Sequence, residues 1–149
     1  MKTLAVNKRA RFDYEPLEEF EAGIVLLGHE VKSVKTGHIS LKGAFVTSMG
    51  EELYLTNATI SLYKYAGNIK DYEPTRSRKL LLKKNQIKRL IGKKQADGLT
   101  LVPFSVYINK GLIKVKFALA KGRRTIDKRD SIKKREDDRR VERVMKSRR

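Results

Sequence analysis

Three groups of cations in the chain are spaced to hold phosphate. Lys8 and Arg9, with Arg11, stand beside Phe12 and Tyr14. Such cations neutralise a phosphate backbone and release its counterions, and a neighbouring ring can stack on an unpaired base. Alternatively, the two rings belong to the core. Arg76, Arg78 and Lys79 precede Leu80–Leu82, with Lys83 and Lys84 behind them. Here the leucines read as mostly core and the cations as its rim. Lys114 and Lys116 alternate with Ile113, Val115, Phe117 and Leu119, so a strand would turn its lysines to one face and its apolar residues to the other. A lysine face of this kind either binds a polyanion or keeps a wet sheet surface soluble. Glu21 stands apart, just before Ala22-Gly23 at the expected end of a helix, where a carboxylate opposes the helix dipole. It could accept from the exocyclic amines of bases or buttress a neighbouring Arg or Lys.

Other chemistries are missing. There is no cysteine, hence no disulfide frame and no thiolate zinc site. His29 and His38 are the only histidines, a poor basis for a metal site, and read as surface or loop residues. No Gly-x-x-x-x-Gly-Lys-Ser/Thr and no Gly-x-Ser-x-Gly occurs. Glu51-Glu52 follows a glycine turn and reads as a solvated corner, and Asp127 and Asp130 read as partners of nearby cations. No catalytic, metal or cofactor role is expected of any residue.

The elements that must position the cations are mostly strands. Ile24–Leu27, Val31–Val34, Phe45-Val46, Leu53–Thr56, Ile60–Tyr65 and Leu99–Val102 are short apolar or alternating runs. Val106–Ile108, Asn109-Lys110-Gly111 and Leu112–Leu119 read as a hairpin with a glycine turn. Five or six such strands suggest a small closed barrel, since closure removes sticky edges. Helices are few. One would start at Pro16, carry Leu17 and Phe20 on one face and end at Gly23. Another would span Asn85–Asp97, with Ile87, Leu90 and Ile91 on one face and Gly98 as its stop.

The 149 residues include 35 Lys and Arg against 17 Asp and Glu, a formal charge of +18. Self-repulsion at that charge is usually offset by a polyanion partner. Residues 1–120 hold 21 basic and 11 acidic residues; the last 29 hold 14 and 6. From Ser131 onward the only apolar residues are Ile132, Val141, Val144 and Met145. The expectation is therefore a folded RNA-binding part, 1–120, and a basic tail, 121–149, disordered when free. Val141, Val144 and Met145 share one helical face, so the tail could fold as a helix on a negatively charged surface; the alternative is a solvated tail with no defined bound form. No signal peptide or membrane span is recognisable, which points to the cytoplasm. From the residues alone, a ribosomal or other structural RNA-binding protein ranks first and an RNA-processing enzyme second.

Asn7–Tyr14, Phe20–Ile24, Gly28–Ser33, Pro74–Leu82, Ile113–Lys116 and Ala118–Arg124 through Asp127–Arg129 together resemble the signature motifs of the small protein B family, in the same order and spacing. The resemblance implies a closed antiparallel β-barrel of oligonucleotide-binding type with a few short helices. It implies no enzyme but a partner of transfer-messenger RNA (SsrA RNA) in the rescue of stalled ribosomes, bound at the RNA's transfer-RNA-like end in place of the missing anticodon arm. Elongation factor Tu with GTP and alanyl-tRNA synthetase would act through the RNA, and the free protein would be a monomer. Glu21, Leu81 and Lys114 match positions linked to RNA binding. With them, Lys8, Arg9, Arg11, Arg76, Arg78, Lys79 and Lys116 form the expected RNA-binding set. Lys121, Arg123, Arg124, Asp127, Lys128 and Arg129, with Val144 and Met145, would carry the tail into the decoding centre and the empty messenger channel of the small subunit. Ile126 stands where the family often has histidine. Glu30 lies in the shared Gly-x-Glu-Val-Lys-Ser motif, with its role, structural or RNA-contacting, left open.

Overall fold

The computed structural model describes residues 1–67 and 69–123. In chain order the elements are β1 (Lys2–Val6), α1 (Ala10–Asp13), β2 (Tyr14–Ile24), α2 (Gly28–Lys35), β3 (Ile39–Ser40), β4 (Phe45–Met49) and β5 (Glu52–Thr56). There follow β6 (Thr59–Ile60), β7 (Arg78–Leu81), α3 (Lys84–Asp97), β8 (Thr100–Asn109) and β9 (Leu112–Gly122). The fold is mainly β. Seven strands form one antiparallel sheet in the order β1-β8-β9-β2-β7-β5-β4, and β3 and β6 form a second, two-stranded sheet.

The expected hairpin is β8–β9. Its turn places Lys110 at φ 51 and Gly111 at φ 78, the pair of positive angles that matches the right-handed twist of the arms. Val115, Phe117 and Leu119 are buried, whereas Lys116 is exposed. The expected second helix is α3, which buries Ile87 and Leu90 and stops at Gly98 in the left-handed region. The main core joins both, with Leu53, Leu55, Leu80, Leu101, Val115 and Phe117 fully buried.

Several expectations fail. The segment from Pro16 to Gly23 is not a helix but part of β2, paired with β9 from Tyr14↔Gly122 to Gly23↔Lys114. Pro16 sits at a register shift in that ladder, where a missing N–H is tolerated. Val31–Val34 is not a strand but lies inside α2, whose first turn is closed by Leu27 N–H donating to Glu30 Oε1 at 2.8 Å. Ile24–Leu27 and Ile60–Tyr65 contribute only Ile24 and Ile60 to strands. Closure of the barrel is not found: among the described residues no ladder joins β4 back to β1. Instead β4 packs against β8, and β3 packs against β1. The tail expectations for Arg124, Ile126, Asp127, Lys128, Arg129, Val144 and Met145 lie outside the described residues.

Candidate nucleic-acid interface

The pairing of β8, β9, β2 and β7 brings distant residues into rows. Tyr107 lies opposite Lys114, Lys114 opposite Gly23, and Gly23 opposite Leu81. Directly paired residues point to the same face, so these four form one line across the sheet. Two residues along, Ser105, Lys116 and Glu21 form a second line. The opposite face carries Val115, Phe117, Ala22 and Leu80 and is the core. The rows therefore lie on the outer face. Gly23 leaves the centre of the first row without a side chain, and Leu81 beside it is 53% exposed, unusual for a leucine flanked by core residues.

One end of this outer face is covered. Ala10 of α1 packs on Val102, Phe104, Ala118 and Ala120, with Tyr14 half-buried at the edge. Phe12 is also buried, so the alternative of core rings holds for it. The other end stays open as a groove of about 410 Å³, bordered by Arg11, Glu21, Ser105, Tyr107 and Lys116. The Arg11 guanidinium stands 6.0 Å from the Phe104 ring centroid. Burial first, then hydrogen bonding to the Glu21 carboxylate, pushes the Tyr107 hydroxyl up to about 12. Glu21 thus stands beside Tyr107 on the face. The helix-dipole argument that singled it out falls with the helix, but the strand sets it among cations. Lys116 lies 3.4 Å from Glu19, an exposed pair that water and salt weaken. Lys79 stands beyond Leu81 on the same side of β7, 3.5 Å from Glu52.

Arg76 and Arg78 do not belong to this face. Arg78, expected on a cationic rim, is fully buried. Its Nε and Nη2 donate to Glu30 Oε2 at 2.9 and 2.6 Å, Nη1 to Ala58 O at 2.7 Å, and Nη2 to Pro74 O at 2.9 Å. Arg76, partly exposed, donates to both Glu30 oxygens. The Tyr72 hydroxyl lies 3.0 Å from Glu30 Oε2 and 2.8 Å from Ile60 O. A buried charge requires this degree of partnering. Glu30 is therefore structural: it clamps the segment leading into β7 onto α2. Burial pushes the Glu30 carboxyl up, but the hydrogen bonds from Arg76, Leu27 N–H and Arg78 override it and hold the carboxyl at about 2, against an ordinary 4.5. A carboxyl lowered on folding stabilises fully above its unfolded value and loses that contribution as pH falls toward its folded value. Stability should decline from about pH 4.5 to about pH 2. Thermal melts of a Glu30→Gln protein should lack that part of the decline.

Lys8 and Arg9 lie on yet another side, across β1, with Lys42. Lys121 is exposed near the end of β9. Arg123 folds back on α1, its N–H donating to Asp13 O at 2.8 Å and its Nε to Arg11 O at 3.2 Å. The chain thus passes Arg123 at a fixed place beside Arg11. Sequence reasoning missed Tyr107, Tyr72 and Lys42. Only Tyr107 left a signal, as the residue two beyond Ser105 in an alternating strand. Among the described residues no group of three or more His, Cys, Asp or Glu could hold a metal ion. No helix of the described residues is long and apolar enough to cross a membrane.

Cations, a carboxylate and an exposed leucine share the outer face of the antiparallel sheet, an arrangement suited to binding a polyanion. The chain belongs to the SmpB protein family, whose model matches residues 4–147. It is 54% identical over 137 residues to the SsrA-binding protein of Neorickettsia sennetsu, covering 91% of this chain and 92% of that one. It is 46% identical over 145 residues to the SsrA-binding protein of Acaryochloris marina, covering 97% and 94%. A solved chain described as "tmRNA-SmpB: a journey to the center of the bacterial ribosome" superposes with a TM-score of 0.66 at 44% identity, covering 85% of this chain and 92% of that one.

Proposed function

We propose that the protein binds transfer-messenger RNA and serves trans-translation, the rescue of stalled ribosomes, as a binding partner rather than a catalyst. The observation that carries this reading is the convergence of Glu21, Leu81, Lys114 and Lys116 from three strands onto one outer face. The relatives are named for binding SsrA RNA, which supports reading that face as the RNA surface. Lys114 and Lys116 take phosphate, Leu81, packed over Gly23, accepts the flat side of a base or sugar, and Glu21 accepts from an amine. Arg11 and Lys79 extend the charge at either end. Arg78 acts from beneath by holding β7 in register. The curled sheet works as an open counterpart of the oligonucleotide-binding barrel. The protein then occupies the place of an anticodon arm, with residues 124–149 reaching the decoding centre and messenger channel. Elongation factor Tu and alanyl-tRNA synthetase act through the RNA.

Sequencing the RNA that co-purifies with the protein tests the reading. One small RNA, substoichiometric to ribosomes, is expected; stoichiometric ribosomal RNA would instead identify a ribosomal component. The affinity should also fall steeply with salt, with a log–log slope steeper than about −3, and Lys114→Ala should reduce that slope by about 1. A wild-type slope near −1 would mean roughly one phosphate contact and would refute a cationic face.

A further inference from the structure

Between β1 with its following turn and β3 with its following turn lies a cavity of about 680 Å³. It opens at the seam that the sheet leaves unclosed. Among the described residues β1 has a strand partner on one edge only, and β3 packs beside it without a ladder. Its volume falls in the range of small-ligand sites. Ala5, Val6, Phe12, Ile39 and Leu41 give it apolar walls. Lys8, Arg9 and Lys42, all exposed, stand among its lining residues, and none of those residues is acidic. The Arg9 guanidinium lies over the Phe12 ring, 4.9 Å from its centroid, and Asp13 holds its Nε at 3.4 Å. The side chain remains 76% exposed, so this cation–ring pair presents an outer surface. Gly43, at φ +74, and Asn57 Nδ2 donating to Gly43 O at 3.0 Å fix the turn that carries Lys42.

We propose that this cavity binds one unpaired nucleotide of the partner RNA, its base against the Arg9–Phe12 pair and its phosphate on Lys8, Arg9 and Lys42. A nucleotide joins a flat, weakly polar ring to an anion, which matches apolar walls beside cations. Bases splayed out of an RNA fold stack on arginine planes and rings in this way. An apolar peptide would match the walls alone, and an acidic one the cations alone. The inference rests on the RNA-binding reading and adds to it a contact separate from the sheet face.

The full chain, labelled with nitrogen-15, would be titrated with each of the four nucleoside 5′-monophosphates. Amide shifts are expected within residues 5–12 and 39–43, and should vanish in Ser40→Trp, whose indole fills the cavity from an exposed position. The same spectrum reports whether the variant is folded. Ser40→Trp should bind transfer-messenger RNA about tenfold more weakly, the scale of one stacked base, with its salt slope unchanged. Lys42→Glu should instead flatten the slope. Shifts spread equally over the Lys114 and Lys116 face would overturn the proposal, as would wild-type RNA affinity in a folded Ser40→Trp protein. Either result leaves RNA binding by the sheet face standing. Failure of the wild-type protein to bind the RNA at all would instead remove the reading on which the proposal rests.

Discussion

Replacing Arg78 with methionine should destabilise the protein by about 3–5 kcal/mol, the cost of leaving a buried partner charge uncompensated. Arg78 and Glu30 are both inaccessible to solvent. Removal of the guanidinium strands part of the Glu30 carboxylate, orphans the carbonyl of Ala58 and leaves that of Pro74 with the Ile60 N–H alone. Denaturant unfolding of the single variant measures the cost. Changing Glu30 and Arg78 together to methionine should cost less than the two single changes summed, because the orphaned carboxylate is removed as well. A loss below about 1 kcal/mol for Arg78→Met would show that the clamp does not hold β7, and with it Leu81, in place.

Replacing Asp127, Lys128 and Arg129 together with alanine should abolish peptide tagging on stalled ribosomes and leave affinity for transfer-messenger RNA within about twofold. The triple change removes one net positive charge from +18, so weakened attraction to RNA cannot account for a lost activity. These residues begin four positions after Arg123, whose bonds to α1 fix where the chain leaves the sheet. The proposed function gives them a role in a step after binding. Tagging would be read in a reconstituted translation system on a message without a stop codon. Normal tagging, or a parallel loss of RNA affinity, would contradict a tail that acts after binding.

Local patterns made part of this fold legible. The β8–β9 hairpin follows from alternation around Lys110-Gly111, and α3 from Ile87, Leu90 and the Gly98 stop. The segment around Glu21 misled because Pro16, the Leu17 and Phe20 spacing and Gly23 together resemble a short helix. The alternation of Phe20, Ala22 and Ile24 was present, but only the β9 ladder decides for the strand. Val31 and Val34 suggested a strand, yet Glu30 closes a helical turn with Leu27 and turns its second oxygen to Arg78, 48 positions away. No local spacing announces that pairing, which is why Arg78 read as a surface cation. Glu21, Leu81, Lys114 and Lys116 of the candidate face were visible one by one, whereas Tyr107 was not. The unity of the face was not visible either, because Glu21, Leu81 and Lys114 become neighbours only through strand pairing.

The most direct measurement is the affinity of the Leu81→Glu protein for transfer-messenger RNA at fixed salt. Leu81 is half exposed, so the change should leave the fold intact by circular dichroism while placing an anion between Gly23 and Lys79. If the outer face of β9, β2 and β7 holds the RNA, affinity should fall by about a hundredfold, the combined scale of a lost apolar contact and a misplaced charge. Lys88→Glu, at an exposed position of α3, should cost about threefold or less, the effect of a distant screened charge. Near-native binding by Leu81→Glu, with the loss appearing at Lys88→Glu instead, would contradict the assignment of the sheet face.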